Sequence, residues 1–333
     1  MSKLLDSIKA TAKSLNKRIV LPEGEEPRII RAAEMITAEK IAQVTLLGDI
    51  AVMKEKCPEV SFDGIKVINP KTSDKKEEYT NILYALRQAK GLTREQAEEL
   101  VTQNTLFYGA LMVKNGDADG MVAGAINSTG NVLRAGLQVI KTAKGINTVS
   151  SIFILALPEG CPYGENGIMV FGDCAVNPMP TAEQLADIAI SSAENAKVIA
   201  GIEPKIAMLS FSTKGSAKHE VVTKVQQATA RVKELAPHLN VDGELQFDAA
   251  IVPEVGQLKS PGSTVAGRAN TFIFPDLQSG NIGYKIAQRL GGAEAIGPIC
   301  QGFAAPINDL SRGCSAEDVV AVAAITCLQA ANK

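Results

Sequence analysis

Residues 18–34 are RIVLPEGEEPRIIRAAE, and the order of residue types in this stretch decides the fold class. Residues 18–21 make a short apolar, β-branched run of strand length. An acidic turn follows, and Pro27 falls where the first turn of a helix has no use for an N–H. An amphipathic helix is then expected over 28–39. A strand feeding a helix through a tight turn is half of a βαβ unit.

Outward from this stretch the unit recurs. Strands are expected at 44–47, 66–68 and 120–125, and helices at 75–90, 94–113 and 132–142. A second series predicts strands at 148–157, 168–171, 205–212, 245–251 and 271–274, with helices at 182–200, 218–235 and 282–290. Such alternation predicts an α/β protein with mostly parallel sheets. Two series in 333 residues suit two domains. No Pro- or Ser-rich linker separates them, and no internal repeat is visible.

Composition narrows the function. With 46% apolar residues the chain can bury a large core. Net charge is −2, so no global basic field favours nucleic acid, and anions would have to be gathered by local arginines. Near the N-terminus Leu4, Leu5, Ile8 and Leu15 lie close to helical spacing, and lysines and aspartate interrupt any signal-peptide core. No run approaches a membrane span, so a cytoplasmic protein with neither membrane nor nucleic-acid partner is expected. Six scattered cysteines without a CxxC pair suit reduced thiols, and no metal site is expected. Only His219 and His238 are available, neither in a nucleophile motif, which favours chemistry that works without histidine.

Three loops carry the candidate chemistry. In INSTGNVLR (126–134) a strand runs into Ser128 and Thr129, and a helix then carries Arg134. Free N–H groups, hydroxyls and the helix dipole would meet there as an anion site, and an N-cap with a surface arginine fits equally well. SFSTKGS (210–216) repeats the pattern. In PINDLSRGCSAEDVV (306–320), Ser315 and Asp318 form a capping box, while Ser311, Arg312 and Asp318 are also a set that could perform chemistry. Arg28 in the opening stretch and Arg87 in LYALRQAKG read on their own as solvated positions. Several small polar loops at strand ends suggest a cleft.

The stretches 242–292 and 295–318, with MLSFSTKGSAKH (208–219), FGDCAVNP (171–178), INSTGNVLRAGLQVIKT (126–142) and LPEGEEPRI (21–29), resemble the phosphate acetyl/butyryltransferase family, and most closely its acetyl-transferring members. The resemblance covers nearly the whole chain. It implies a two-domain, three-layer α/β/α fold like that of isocitrate and isopropylmalate dehydrogenases, with an interdomain cleft. The first domain would be discontinuous, 1–145 plus 296–333, and the second would span 146–295. The implied reaction interconverts acetyl-CoA and phosphate with acetyl phosphate and CoA. No tightly bound cofactor is implied, and a homodimer is. By motif, Asp318 matches the proposed base for the CoA thiol, Ser311 a stabiliser of the reacting acyl group and Arg312 a phosphate or transition-state contact. Arg28, Arg87 and Arg134 match arginines that bind substrate, chiefly CoA phosphates. Ser128 and Thr129 fit a phosphate pocket, and Asn308 joins the expected substrate-binding set.

Acetyl phosphate is already activated, so the shortage of histidine is no obstacle. A cysteine nucleophile, Cys314, is the covalent alternative, with no histidine beside it in sequence. Other readings are a butyryl-transferring enzyme with a larger acyl pocket, a dehydrogenase of the related fold, and a silent ligand-binding module. No GxGxxG or metal-binding carboxylate cluster supports the second, and the presence of Ser311, Arg312 and Asp318 speaks against the third.

Overall fold

The structure, a computed structural model, describes residues 3–332. The chain divides into two compact units: Lys3–Lys144 with the chain from Phe303 onward, and Gly145–Gly302. The first unit begins with α1 (Lys3–Leu15), β1 (Arg18–Leu21), α2 (Pro27–Ala38), β2 (Gln43–Leu47), α3 (Ile50–Lys56), β3 (Lys66–Ile68) and α4 (Lys76–Arg87). It continues with α5 (Arg94–Gln103), α6 (Thr105–Asn115), β4 (Gly120–Ala123) and α7 (Thr129–Val139). The second unit holds β5 (Ser150–Ala156), β6 (Ile168–Gly172), α8 (Ala182–Val198), β7 (Lys205–Leu209), α9 (Glu220–Leu235) and β8 (Asn240–Leu245). It ends with α10 (Phe247–Ile251), α11 (Pro253–Lys259), β9 (Thr271–Ile273), α12 (Leu277–Arg289) and β10 (Glu294–Gln301). The chain then returns to the first unit as β11 (Ile307–Asp309) and α13 (Ala316–Ala331).

The first unit is a five-stranded sheet in the order β11-β4-β1-β2-β3, and every pairing in it is parallel. Ile19, Val20 and Leu21 are all fully buried, which is why this strand is an unbroken apolar run and not an alternating one. On β4, Gly120 faces Thr326 of α13 while Met121 faces Gly109 of α6, so helices cover both faces. Pro27 opens α2 as the opening stretch predicts. The helix expected over 94–113 breaks at Asn104, whose side chain accepts from Leu106 and Phe107 N–H and so starts a second helix, α6.

The second unit is a six-stranded mixed sheet, β10-β5-β6-β9-β7-β8, with β5 antiparallel to both its neighbours. Side chains alternate between two cores. Ala207 and Leu209 of β7 join Phe153, Phe171 and Phe272 on one face, while Ile206 and Met208 pack with α8 and α9 on the other. Residues 245–251 are not one strand. β8 ends at Leu245, and Phe247–Ile251 turns helical because its apolar groups lie at helical spacing, burying Ala249 and Ala250 while Phe247 packs on Phe272. β10 carries Gly297 and Pro298, turn signals that hide it in the sequence; a register shift between Ile296 and Ile299 absorbs them. Because β10 pairs with β5, the return to the first unit falls after Gly302, not after residue 295.

Candidate active site

In the first unit β1, β4 and β11 are neighbours and run the same way, so the loops that follow them share one edge of the sheet. These loops are 22–26, 124–128 and 310–315. A buried carboxylate joins the first two. Glu23, only 4% exposed, accepts from the N–H groups of Gly124 (2.9 Å), Ala125 (2.7 Å), Ile126 (3.1 Å) and Asn127 (2.8 Å), and from Asn127 Nδ2 (2.8 Å). Successive N–H groups pointing inward form a nest that would bind an anion, and here the protein supplies the anion itself.

Arg28 joins all three loops. Its Nε donates to Glu26 Oε1 at 2.6 Å, Nη1 to the carbonyl oxygens of Arg312 (2.8 Å) and Cys314 (3.0 Å), and Nη2 to that of Ala125 (3.0 Å). Four bonds thus occupy a group with five N–H donors. In this structure the guanidinium clasps backbone segments of the neighbouring loops.

The third loop begins where Asp309 ends β11, opposite Ala123. Leu310 N–H donates to Ala123 O at 2.7 Å. This approach needs glycine at 124, whose φ is +117°; a Cβ there would lie 2.4 Å from Asp309 Oδ1. Ser311 and Arg312 follow, both exposed, and Ser311 Oγ accepts from Gly313 N–H. Ser315 then caps α13: its Oγ accepts from Asp318 N–H (3.2 Å), and Asp318 Oδ2 accepts from Ser315 N–H (2.9 Å). Asp318 is exposed, and among the described residues its second oxygen has no hydrogen-bond partner. Among the described residues no ion pair joins Arg312 to Asp318.

Cys314 is buried, with its Sγ 3.9 Å from Arg28 Nη1. Burial pushes its thiol up, outweighing the pull of Arg28. Asn308 is fully buried and gives its amide to Thr326 Oγ1 and Gln329 Oε1, both at 2.8 Å, holding β11 to α13. Ser128 caps α7 by accepting from Asn131 N–H. Thr129 is exposed, and its hydroxyl donates to Asp309 Oδ2 at 2.6 Å. Arg134 is exposed on α7, and Arg87 ends α4, which packs against α6 and α7. On the same sheet edge a cavity of about 430 Å³ is lined by Glu23, Leu47, Asn69, Thr105 and Ile126, among others.

Ser128, Thr129, Ser311, Arg312 and Asp318 therefore stand on adjacent loops of one edge, with Arg28 beneath them. Two residues that sequence reasoning left without a role, Glu23 and Asp309, prove to organise those loops. For Glu23 the signal was a carboxylate directly following the apolar run 18–22, where a strand end would bury it; Asp309, preceded by Asn308, carried no such signal.

Over residues 3–327 the chain matches the family described as phosphate acetyl/butaryl transferase. It belongs to that family. As a member it is an acyltransferase, and the resemblance drawn from its motifs holds. It is 53% identical over 327 residues to a phosphate acetyltransferase of Thermoanaerobacterium thermosaccharolyticum, covering 98% of this chain and 99% of the relative. It is 54% identical over 329 residues to one of Clostridium acetobutylicum, covering 98% of each. A solved phosphotransacetylase from Streptococcus pyogenes superposes with a TM-score of 0.94 at 45% identity over the whole of both chains. A 4-hydroxythreonine-4-phosphate dehydrogenase from Klebsiella pneumoniae, at 11% identity and a TM-score of 0.52 over 94% of this chain and 99% of that one, shares the fold alone. The dehydrogenase-like α/β fold expected of the transferase is thus present.

Proposed function

We propose that this transferase interconverts acetyl-CoA and phosphate with acetyl phosphate and CoA, by direct attack of the CoA thiolate on acetyl phosphate within a ternary complex. The observation that supports this is that the chain leaves β11 through exposed Ser311 and Arg312 and enters α13 with exposed Asp318 in its first turn, while Asp309 at the end of β11 bonds Thr129, in a chain of this family. Asp318 takes the thiol proton on the oxygen left open by the capping box, the new C–S bond forms as the C–O bond to phosphate breaks, and phosphate leaves with its electron pair. Ser311 donates to the acyl oxygen, and Arg312 neutralises the departing phosphate. A thiol near pKa 8.5 and a carboxylate near 3.9 are mismatched by about 4 to 5 units, roughly 6 kcal/mol. Arg312 directed at the substrates and away from Asp318 narrows that gap by favouring the thiolate.

Arg134 and Arg87 reach CoA phosphates, and Ser128 and Thr129 receive the transferred phosphate. Six cysteines, none in a disulfide among the described residues, fit a cytoplasmic enzyme. A homodimer completes the assignment.

The test is to mix the purified protein with acetyl phosphate and CoA and follow thioester absorbance. Intersecting initial-rate lines, and Cys314→Ala retaining most activity, are expected. Parallel lines with a trapped acyl-enzyme, or a loss beyond about a thousandfold in folded Cys314→Ala, would restore the covalent route.

A further inference from the structure

Asp309 carries a carboxyl that the fold buries with few partners. It is 3% exposed, Oδ2 accepts from Thr129 Oγ1 at 2.6 Å, and Oδ1 is buried with no hydrogen-bond partner among the described residues. Orphaned carboxylate oxygens are rare in protein interiors because each forfeits its hydration. Among the described residues no Lys, Arg or His forms an ion pair with it. Glu23, after β1, is the charged group that faces it, and the sign is repulsive. The guanidinium of Arg28, from α2, is directed at carbonyl oxygens and Glu26; Arg312, Asp318 and Arg134, on the third loop, α13 and α7, are exposed.

The bond to Thr129 has a polarity, and that polarity decides what Thr129 can bind. While Asp309 is ionised it can only accept, so the Thr129 proton points inward and the hydroxyl shows solvent only lone pairs. Such a hydroxyl repels an anion. Once Asp309 is protonated, its O–H donates to Thr129 Oγ1, and the Thr129 proton is free to turn outward onto an anionic oxygen. One proton from solvent is taken up on Asp309, and no other bond is made or broken.

We propose that Asp309 is a positioning residue that takes up a proton when the phosphoryl group binds, so that Thr129 becomes a hydrogen-bond donor to it. The proposal rests on the reading of Thr129 as part of the phosphate pocket. Burial and the Glu23 charge also hold the Asp309 carboxyl up, at about 6, against the lowering effects of Thr129 and the Leu310 N–H. An incoming phosphoryl dianion raises it further.

The test is the KM for acetyl phosphate at saturating CoA between pH 6 and 8.5, in the intact enzyme and two variants. Wild-type turnover tests the assigned reaction by itself, before any pH series. In the wild type KM should climb by about tenfold per pH unit at the alkaline end, as binding comes to require the uptake of one proton. Asp309→Asn, whose amide donates permanently to Thr129, should hold a low KM with no slope. Thr129→Val, an exposed position that leaves the core intact, should show a high KM at every pH, also without slope. A flat wild-type profile overturns the proposal. So does a slope that persists unchanged in Asp309→Asn, which would place the titration on the substrate, or in Thr129→Val.

Discussion

In the proposed reaction Asp318 answers two demands with one carboxylate. Oδ2 closes the capping box that starts α13, and the other oxygen is open to a thiol. Asp318→Asn can still accept from Ser315 N–H, so the cap alone predicts a loss near 1 kcal/mol and unaltered turnover. Loss of the base predicts a kcat lower by about 10² to 10⁴ with both KM values within severalfold, partly restored by raising the pH. Steady-state kinetics beside a denaturation curve separates the two. Asp309 makes the opposite case, a carboxylate the fold disfavours when charged. Its carboxyl is held at about 6, above the ordinary range near 3.9, so the native state binds its proton more tightly than the unfolded chain does. The stability this confers is present below about pH 4 and is lost as pH climbs to about 6, roughly 3 kcal/mol in all. Asp309→Asn should therefore be more stable than the wild type at pH 8, by on the order of 1–3 kcal/mol, and the gap should close toward pH 4. Urea unfolding at the two pH values measures it; a gap independent of pH would assign the effect to packing.

At the scale of elements, the candidate site depends on three strand-end loops that are stitched to one another and not merely adjacent. Glu23 collects four backbone N–H groups and an amide from the loop after β4. In Glu23→Gln one oxygen becomes an NH₂ facing donors, which should cost about 2–4 kcal/mol and release that loop. Activity should fall together with protection of the Gly124–Asn127 amides in hydrogen exchange, and retained protection would show that the loop stands without its anchor. This stitching also explains what could be read in advance. β1 and α2 were legible because an apolar run, a turn and Pro27 are local signals. The break at Asn104 was hidden inside a continuous helical pattern, and β10 behind Gly297 and Pro298, whose acceptance in a strand depends on a register shift against β5. The capping box of Ser315 and Asp318 was legible by spacing, whereas the roles of Glu23 and Asp309 depend on groups brought to them by the folded sheet. Arg28 could be placed by motif, but its bonds to Ala125, Arg312 and Cys314 carbonyls could not, because backbone acceptors carry no sequence signature.

For the whole molecule, the proposed homodimer needs a surface, and α12 offers one. Ile282, Ile286 and Leu290 follow each other at four-residue steps along and just past this helix, 57%, 54% and 85% exposed. The helix buries Gly280 and is held to the sheet by Tyr284, which stacks on Phe153 at 4.0 Å, so its apolar stripe is surplus to the fold of the second unit. An exposed stripe of this kind is where the proposed contact is expected. Ile286→Asp places a charge in the middle of the stripe while leaving the Tyr284 stack in place. In a dimer it would desolvate two carboxylates related by symmetry, one from each copy, without a cation to receive them. We expect the variant to sediment at half the wild-type mass at micromolar concentration, with an unchanged far-UV spectrum. A variant that sediments as the wild type does would exclude α12 from the contact.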